Sequence, residues 1–189
     1  PMPTQPLQTA RLLLVPLTLV DVPDIQRHFP HWEVVQHLSD RVPWPYPDDG
    51  ALTFVRDVCL PAMARDERMI WAIRLRAFPD ETAGLIEYAE HDDGFGHRGF
   101  WLATHLHGQG YMSEAVTRFQ DHVLLELGRE RIVVLNASDN PASRRVKEKT
   151  GASYLDEVEL AHRNGTRTAQ RWVVTRQGWA ALRGGSGGA

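Results

Sequence analysis

The stretch Gly99-Phe-Trp-Leu-Ala-Thr-His-Leu-His-Gly108-Gln-Gly110-Tyr-Met-Ser-Glu-Ala115 joins a strand to a helix through a glycine loop. Phe100, Trp101 and Leu102 form an aromatic and aliphatic run suited to a strand inside a sheet. Gly108 and Gly110 release the backbone for turns that a Cβ would hinder. From Met112 the apolar positions Ala115, Val116, Phe119, Val123 and Leu127 take helical spacing, and Gly128 suits the helix end. A strand that passes through glycines into a helix leaves unpaired backbone N–H groups at a positive dipole end, which is a site for a phosphate or pyrophosphate. No Lys-Ser or Lys-Thr follows the second glycine and the spacing is not Gly-x-Gly-x-x-Gly, so the two common nucleotide loops do not apply. Gly-x-Gly alone is equally compatible with a turn that binds nothing.

Working outward, the 189 residues suit one globular domain over 1–183, followed by a flexible Gly/Ser tail over 184–189. The chain is 42% hydrophobic and 24% charged, and its formal charge of −3 argues against a basic nucleic-acid surface. No run approaches the roughly 18 apolar residues of a membrane span, and no signal peptide is apparent. Cys59 is the single cysteine, which fits a reducing cytoplasm, and it reads as a small buried hydrophobe on a helix. The six tryptophans leave room for an apolar interface between two copies.

In chain order, 11–17 reads as a first strand, Thr18 or Asp21 as a cap for a helix towards Phe29, and 32–38 as a short helix. Three prolines forbid regular structure in 42–49, and helical spacing resumes over 48–64 through Leu52, Val55, Val58 and Cys59. Strands follow at 69–76, 82–90, around Phe100 to Ala103, and at 131–136. Two more, at 153–161 and 168–176, flank an Asn164-Gly165 hairpin turn. Helices between strands, with a hairpin at the end, predict a mixed α/β sheet.

A second motif supports the first. His105-Leu-His-Gly108-Gln-Gly110 before a helix, and Asn140-Pro-Ala-Ser143-Arg-Arg-Val146-Lys-Glu-Lys149-Thr-Gly151 downstream, resemble the two signatures of the GNAT superfamily of N-acetyltransferases. With Thr9-Ala-Arg11-Leu-Leu-Leu at the start, the pattern is most similar to the branch that acetylates ribosomal-protein N-termini. The resemblance implies a twisted central sheet of about seven strands flanked by helices, splayed at the strand through Phe100, with acetyl-CoA wedged into the splay. It implies that the backbone of His107, Gly108, Gln109, Gly110, Tyr111, Met112 and Ser113 takes the pyrophosphate, and that the main chain of Leu102, Ala103 and Thr104 pairs with the pantetheine arm. Asn140 would also contact the pantetheine.

The reaction so implied moves an acetyl group directly to a primary amine, on a peptide N-terminus or a small molecule. It needs a neutral amine and a proton for the leaving thiolate. Many members place a tyrosine seven residues after the asparagine, where this chain has Lys147; the ribosomal branch has a serine three residues after it, where Ser143 stands. The resemblance therefore implies Ser143 as the donor, while a hydroxyl in the first helical turn also has a capping use. Glu87, between Leu85 and Ala89 on one strand face, is the candidate base, with Glu157 and Glu159 as rivals. Glu90, Asp92 and Asp93 read as a solvated loop. The resemblance implies that Trp44 or Tyr46 lines the acceptor's approach, while a rigid connector whose aromatics simply pack on the domain is the other reading of that loop. His105 and His107 form a His-x-His pair without a third ligand at sensible spacing, so no metal is expected. The alternative function is a non-catalytic acyl-CoA sensor or interaction module of the same fold.

Overall fold

Arg68–Leu75 is the strand that every apolar layer packs against. Its Met69, Trp71 and Ile73 face one side and Ile70 and Ala72 the other, all buried, which is why it reads as a continuous apolar run. The computed structural model describes residues 4–38, 41–91, 96–137, 140–162 and 165–185.

Eight strands form one sheet: β1 (Leu7–Gln8), β2 (Leu12–Pro16), β3 (Arg68–Leu75), β4 (Gly84–Glu90), β5 (Gly96–Leu102), β6 (Arg131–Ala137), β7 (Ser153–His162) and β8 (Gly165–Thr175). Their order is β1-β2-β3-β4-β5-β6-β8-β7. The expectation of about seven strands is exceeded by β1, a two-residue strand paired with β2 through Leu7 and Leu14. Every neighbouring pair is antiparallel except β5 and β6.

That parallel pair is the decisive feature. β5 meets β6 only at Gly96 with Ile132 and His97 with Val133. From Arg98 to Leu102, β5 stays paired with β4, while β6 stays paired with β8 as far as Ala137. The sheet therefore opens into a wedge beyond His97, with β6, β8 and β7 as the departing wing.

The helices sort onto two faces. Leu19–Asp21 is a 3-10 turn capped by Thr18 in a reciprocal box with Asp21, and it runs into α1 (Val22–His28). α2 (Trp32–Val35) follows, then α3 (Gly50–Thr53), which passes through a π-helical segment, Phe54–Cys59, into α4 (Leu60–Ala64). This segment buries Ala51, Val55, Cys59 and Ala62, and leaves Leu52 and Val58 exposed. The expected stripe through Leu52 and Val58 is corrected accordingly: the wider turn shifts the apolar face. These helices cover the face bearing Ile70, Ala72, Leu85 and Trp101.

On the opposite face lie α5 (Tyr111–Gln120), continued by a π-helical segment Asp121–Glu126, α6 (Pro141–Lys149) and α7 (Arg176–Gly185). α5 buries Met112, Ala115, Val116 and Phe119 against Trp71, Ile86 and Leu102. α7 carries the chain through Gly185, so Gly184 and Gly185 are helical rather than part of a tail that starts at 184. Its Trp179 is buried and donates from Nε1 to Asp121 Oδ1 at 2.9 Å. β7 and β8 pair to His162 and Gly165; Asn164, and with it the expected turn, lies outside the described residues, as do Asp92 and Asp93. Among the described residues no helix is long and apolar enough to cross a membrane.

Candidate active site at the sheet opening

The glycine loop sits at the mouth of the wedge. After Leu102 the chain makes a 3-10 turn over Thr104–Leu106, and then Gly108 and Gly110 take φ of +76° and +81°. No side chain caps α5, whose N-cap is Gly110 itself. Among the described residues, the backbone N–H groups of Gly108, Gln109, Gly110, Tyr111, Met112 and Ser113 have no protein acceptor. Donors with no acceptor, at a helix start reached through two left-handed glycines, fit an anion of pyrophosphate type.

The loop is held from two sides. His107 Nε2 lies 2.7 Å from Leu102 O, a contact that requires Nε2 to carry the hydrogen, so this side chain ties the loop to the end of β5. Arg11 Nη1 donates to Gln109 O at 3.1 Å, and its guanidinium lies 4.2 Å from the Tyr111 ring centroid. Glu114 receives the Arg11 side chain at 2.7 Å, the Arg11 N–H at 2.8 Å and the Thr9 hydroxyl at 2.6 Å. His105 is exposed, with its ring 5.4 Å from that of His28. A surface depression of about 390 Å³ lined by Thr9, Ser113, Glu114, Thr117 and Asp121 runs along the flank of α5 beside this brace.

The second signature lies across the wedge. Asn140 caps α6 by accepting from the Ser143 N–H at 3.1 Å, with Pro141 at the first helical position. Ser143 and Lys147 are one turn apart and therefore on one side of α6. Lys147 is completely buried; its Nζ donates to Ser143 Oγ at 2.6 Å and to Asn136 Oδ1 of β6 at 3.1 Å. Arg98 of β5 is also buried and donates to Gln120 Oε1 of α5 at 2.7 Å, while Gln120 Nε2 donates to Thr150 O. The Arg98 Nε and Nη2 atoms are buried and have no hydrogen-bond partner among the described residues. Burial works against both charges, and Arg98 adds to the effect on Lys147, which is pushed down to about 7.

Glu87 belongs to the other face, where Leu85 and Ala89 flank it along β4 and Gly99 stands directly across on β5. Burial pushes its carboxyl above the usual range and Arg68, at 3.5 Å, opposes this. The side chain keeps 31% exposure. Tyr46 turns inward onto Phe29, with ring centroids 5.2 Å apart, and burial pushes its phenol up to about 12; Trp44 lies outside against Trp32 at 5.4 Å. The two aromatics thus have different surroundings, one packed and one exposed. Glu157 and Glu159 are exposed on the edge strand β7, and Glu159 accepts from Thr168.

Residues 11–153 match the family described as the acetyltransferase (GNAT) domain. The chain belongs to the GNAT family. Solved structures of GNAT acetyltransferases share its fold. One is RimL, the ribosomal L7/L12 alpha-N-protein acetyltransferase in complex with coenzyme A, at TM-score 0.76 and 18% identity, covering 90% of this chain and 98% of that one. Another is a ribosomal-protein-S5-alanine acetyltransferase from Vibrio fischeri, at TM-score 0.77 and 15% identity over 93% and 98%. A third is spermidine N-acetyltransferase from Vibrio cholerae, in complex with CoA and spermine, at TM-score 0.75 and 14% identity over 91% and 99%. A comparison with curated proteins finds no match. Within this GNAT fold, Arg98, Asn136, Gln120 and Arg11 contact the candidate site and were passed over by sequence reading. A lone arginine beside the Phe100–Leu102 run, and the four-residue spacing from Ser143 to Lys147, were the available signals.

Proposed function

We propose that the protein transfers the acetyl group of acetyl-CoA to a primary amine by direct attack within a ternary complex. The observation that carries this reading is the wedge between β5 and β6, which opens at His97 and ends at the uncapped, glycine-entered start of α5. The loop N–H groups from Gly108 to Ser113 hold the pyrophosphate, and the free edge of β5 up to Thr104 receives the pantetheine arm as a further strand would. Asn140 borders the arm from the opposite wall.

The acceptor enters from the face of Glu87, where Gly99 leaves room beside the carboxylate. Glu87 takes the proton that the amine loses, and burial, which raises its affinity for protons above that of an ordinary carboxylate, makes it a better base for that step. Trp44 and Tyr46 belong to the wall of that entrance. As the C–N bond forms and the C–S bond breaks, the thiolate sulfur takes the Ser143 hydroxyl proton. The intact donor loop, together with Ser143 at the first turn of α6, favours a transferase over a silent acyl-CoA sensor.

The test is isothermal titration with acetyl-CoA, followed by thiol release on adding a serine-initiated peptide, an alanine-initiated peptide, spermidine and an aromatic amine. Binding with turnover supports the transferase, and the preferred acceptor names its class. Binding without turnover on the full panel would move the reading to the sensor, and no binding would overturn it.

A further inference from the structure

A serine hydroxyl is by itself a poor acid for a thiolate. An alcohol is close to bulk water in acidity and a thiol titrates near about 8.5, so the transfer runs far uphill unless the alkoxide is reprotonated in the same event. A group that acts through Ser143 is therefore required by the mechanism above, and this inference rests on that reading. Among the described residues one candidate is in direct contact: Lys147 Nζ, 2.6 Å from Ser143 Oγ.

We propose that Lys147 is the positioning residue and proton reservoir of Ser143, orienting its hydroxyl towards the leaving sulfur and replacing the proton it gives up. The geometry supports both parts. The ammonium has three protons and three acceptors at hand: Asn136 Oδ1 at 3.1 Å, Ser143 O at 3.4 Å and Ser143 Oγ at 2.6 Å. With Nζ donating to Oγ, the serine's own hydrogen cannot point at Lys147 and is left for another acceptor. Lys147 is fully buried, so the exchange is shielded from competing water.

The proton count closes. The amine loses one proton to Glu87; the sulfur gains the Ser143 proton; Ser143 regains one from the Lys147 ammonium, which becomes a neutral amine. After release Glu87 gives its proton to solvent and Lys147 takes one back. A lysine of ordinary affinity would release its proton reluctantly, whereas this one, pushed down to about 7 by burial and by Arg98, is a better donor than a thiol. The groups that face it are Arg98 from β5, itself held by Gln120 of α5, Asn136 from β6 and Ser143 from its own helix. Among the described residues no carboxylate acts on it.

The sign follows: Lys147 works protonated, so turnover falls as pH rises through its folded pKa. The experiment measures kcat against pH for the wild type, Ser143→Ala, Lys147→Met and Asn136→Asp, with acetyl-CoA and the best acceptor of the panel named above. Lys147→Met is expected to lower kcat by about 10²-fold to 10⁴-fold, to leave KM for acetyl-CoA near its wild-type value, and to abolish the alkaline descent. Asn136→Asp places a carboxylate 3.1 Å from Nζ in the same shape, so the alkaline descent moves up by about one unit or more even if the amplitude changes. This isosteric variant keeps the test decisive if Lys147→Met fails to fold. If Ser143→Ala turns over like the wild type, the donor reading falls and this inference with it. If Ser143→Ala is impaired while the Asn136→Asp descent stays at the wild-type pH, the inference alone is overturned.

Discussion

Arg11 and Glu114 meet at 2.7 Å across 103 positions of sequence, joining the start of β2 to the first turn of α5. The same guanidinium reaches Gln109 O and covers Tyr111, so a single side chain braces the loop that presents the donor N–H groups. Because Arg11 is nearly half exposed, the ion pair itself adds little, and its use lies in fixing the loop. Arg11→Ala is expected to raise KM for acetyl-CoA about tenfold and to lower stability by only about 1 kcal/mol. Steady-state kinetics and a thermal melt check both halves; a large loss of Tm with unchanged KM would mean that the brace is structural alone.

Gly108 and Gly110 carry the same kind of cost. A Cβ at Gly108 meets nothing within 4 Å, one at Gly110 makes only an ordinary contact with Arg11 Nη2 at 3.5 Å, and both positions are left-handed. Alanine at either therefore carries a backbone cost alone, about 1–2 kcal/mol. Calorimetry should show acetyl-CoA binding weakened by roughly tenfold for both Gly108→Ala and Gly110→Ala. Equal, wild-type affinities would show that the loop's donors are not used.

Glu87 is held up by burial and down by Arg68. As a base it must be ionised, so activity is present above its folded pKa and lost as pH falls through it, at a pH above the ordinary carboxylate range. Arg68→Met removes the opposing charge and is expected to move the acidic limb of kcat/KM to higher pH, while Glu87→Gln should cost 10²-fold to 10⁴-fold and erase that limb. An acidic limb that survives in Glu87→Gln would transfer the role to another group.

Lys147 also leaves a mark on folding. Its folded pKa of about 7 lies below the unfolded value of 10.5, so between those pH values the unfolded chain binds more protons and stability rises with pH. Below about pH 7 both states are protonated and the burial cost is constant. Relative to Lys147→Met, the wild type should gain on the order of 1 kcal/mol per pH unit in that window, measured by denaturant unfolding. Parallel curves for the two proteins would show that Lys147 keeps its ordinary affinity in the folded state.

The sequence by itself determined what short-range physics controls. The strand-glycine-helix junction follows from Cβ sterics at Gly108 and Gly110, the α6 start from the Asn140 cap and Pro141, and β3 from an apolar run that can be buried on both faces. Partner choice is another matter, because it pits distant segments against one another. That β6 leaves β5 after Val133 and stays with β8 makes the wedge, and no local pattern in 131–137 announces it. Wider π-helical turns at Phe54–Cys59 and Asp121–Glu126 re-aim side chains that a regular 3.6-residue period misplaces. Ser143 and Lys147 share a helix side in any reading of the chain. Only the tertiary structure buries Lys147 among Asn136 of β6 and Arg98 of β5, with no carboxylate among the described residues acting on it, and that desolvation is what makes an ordinary lysine able to give up its proton.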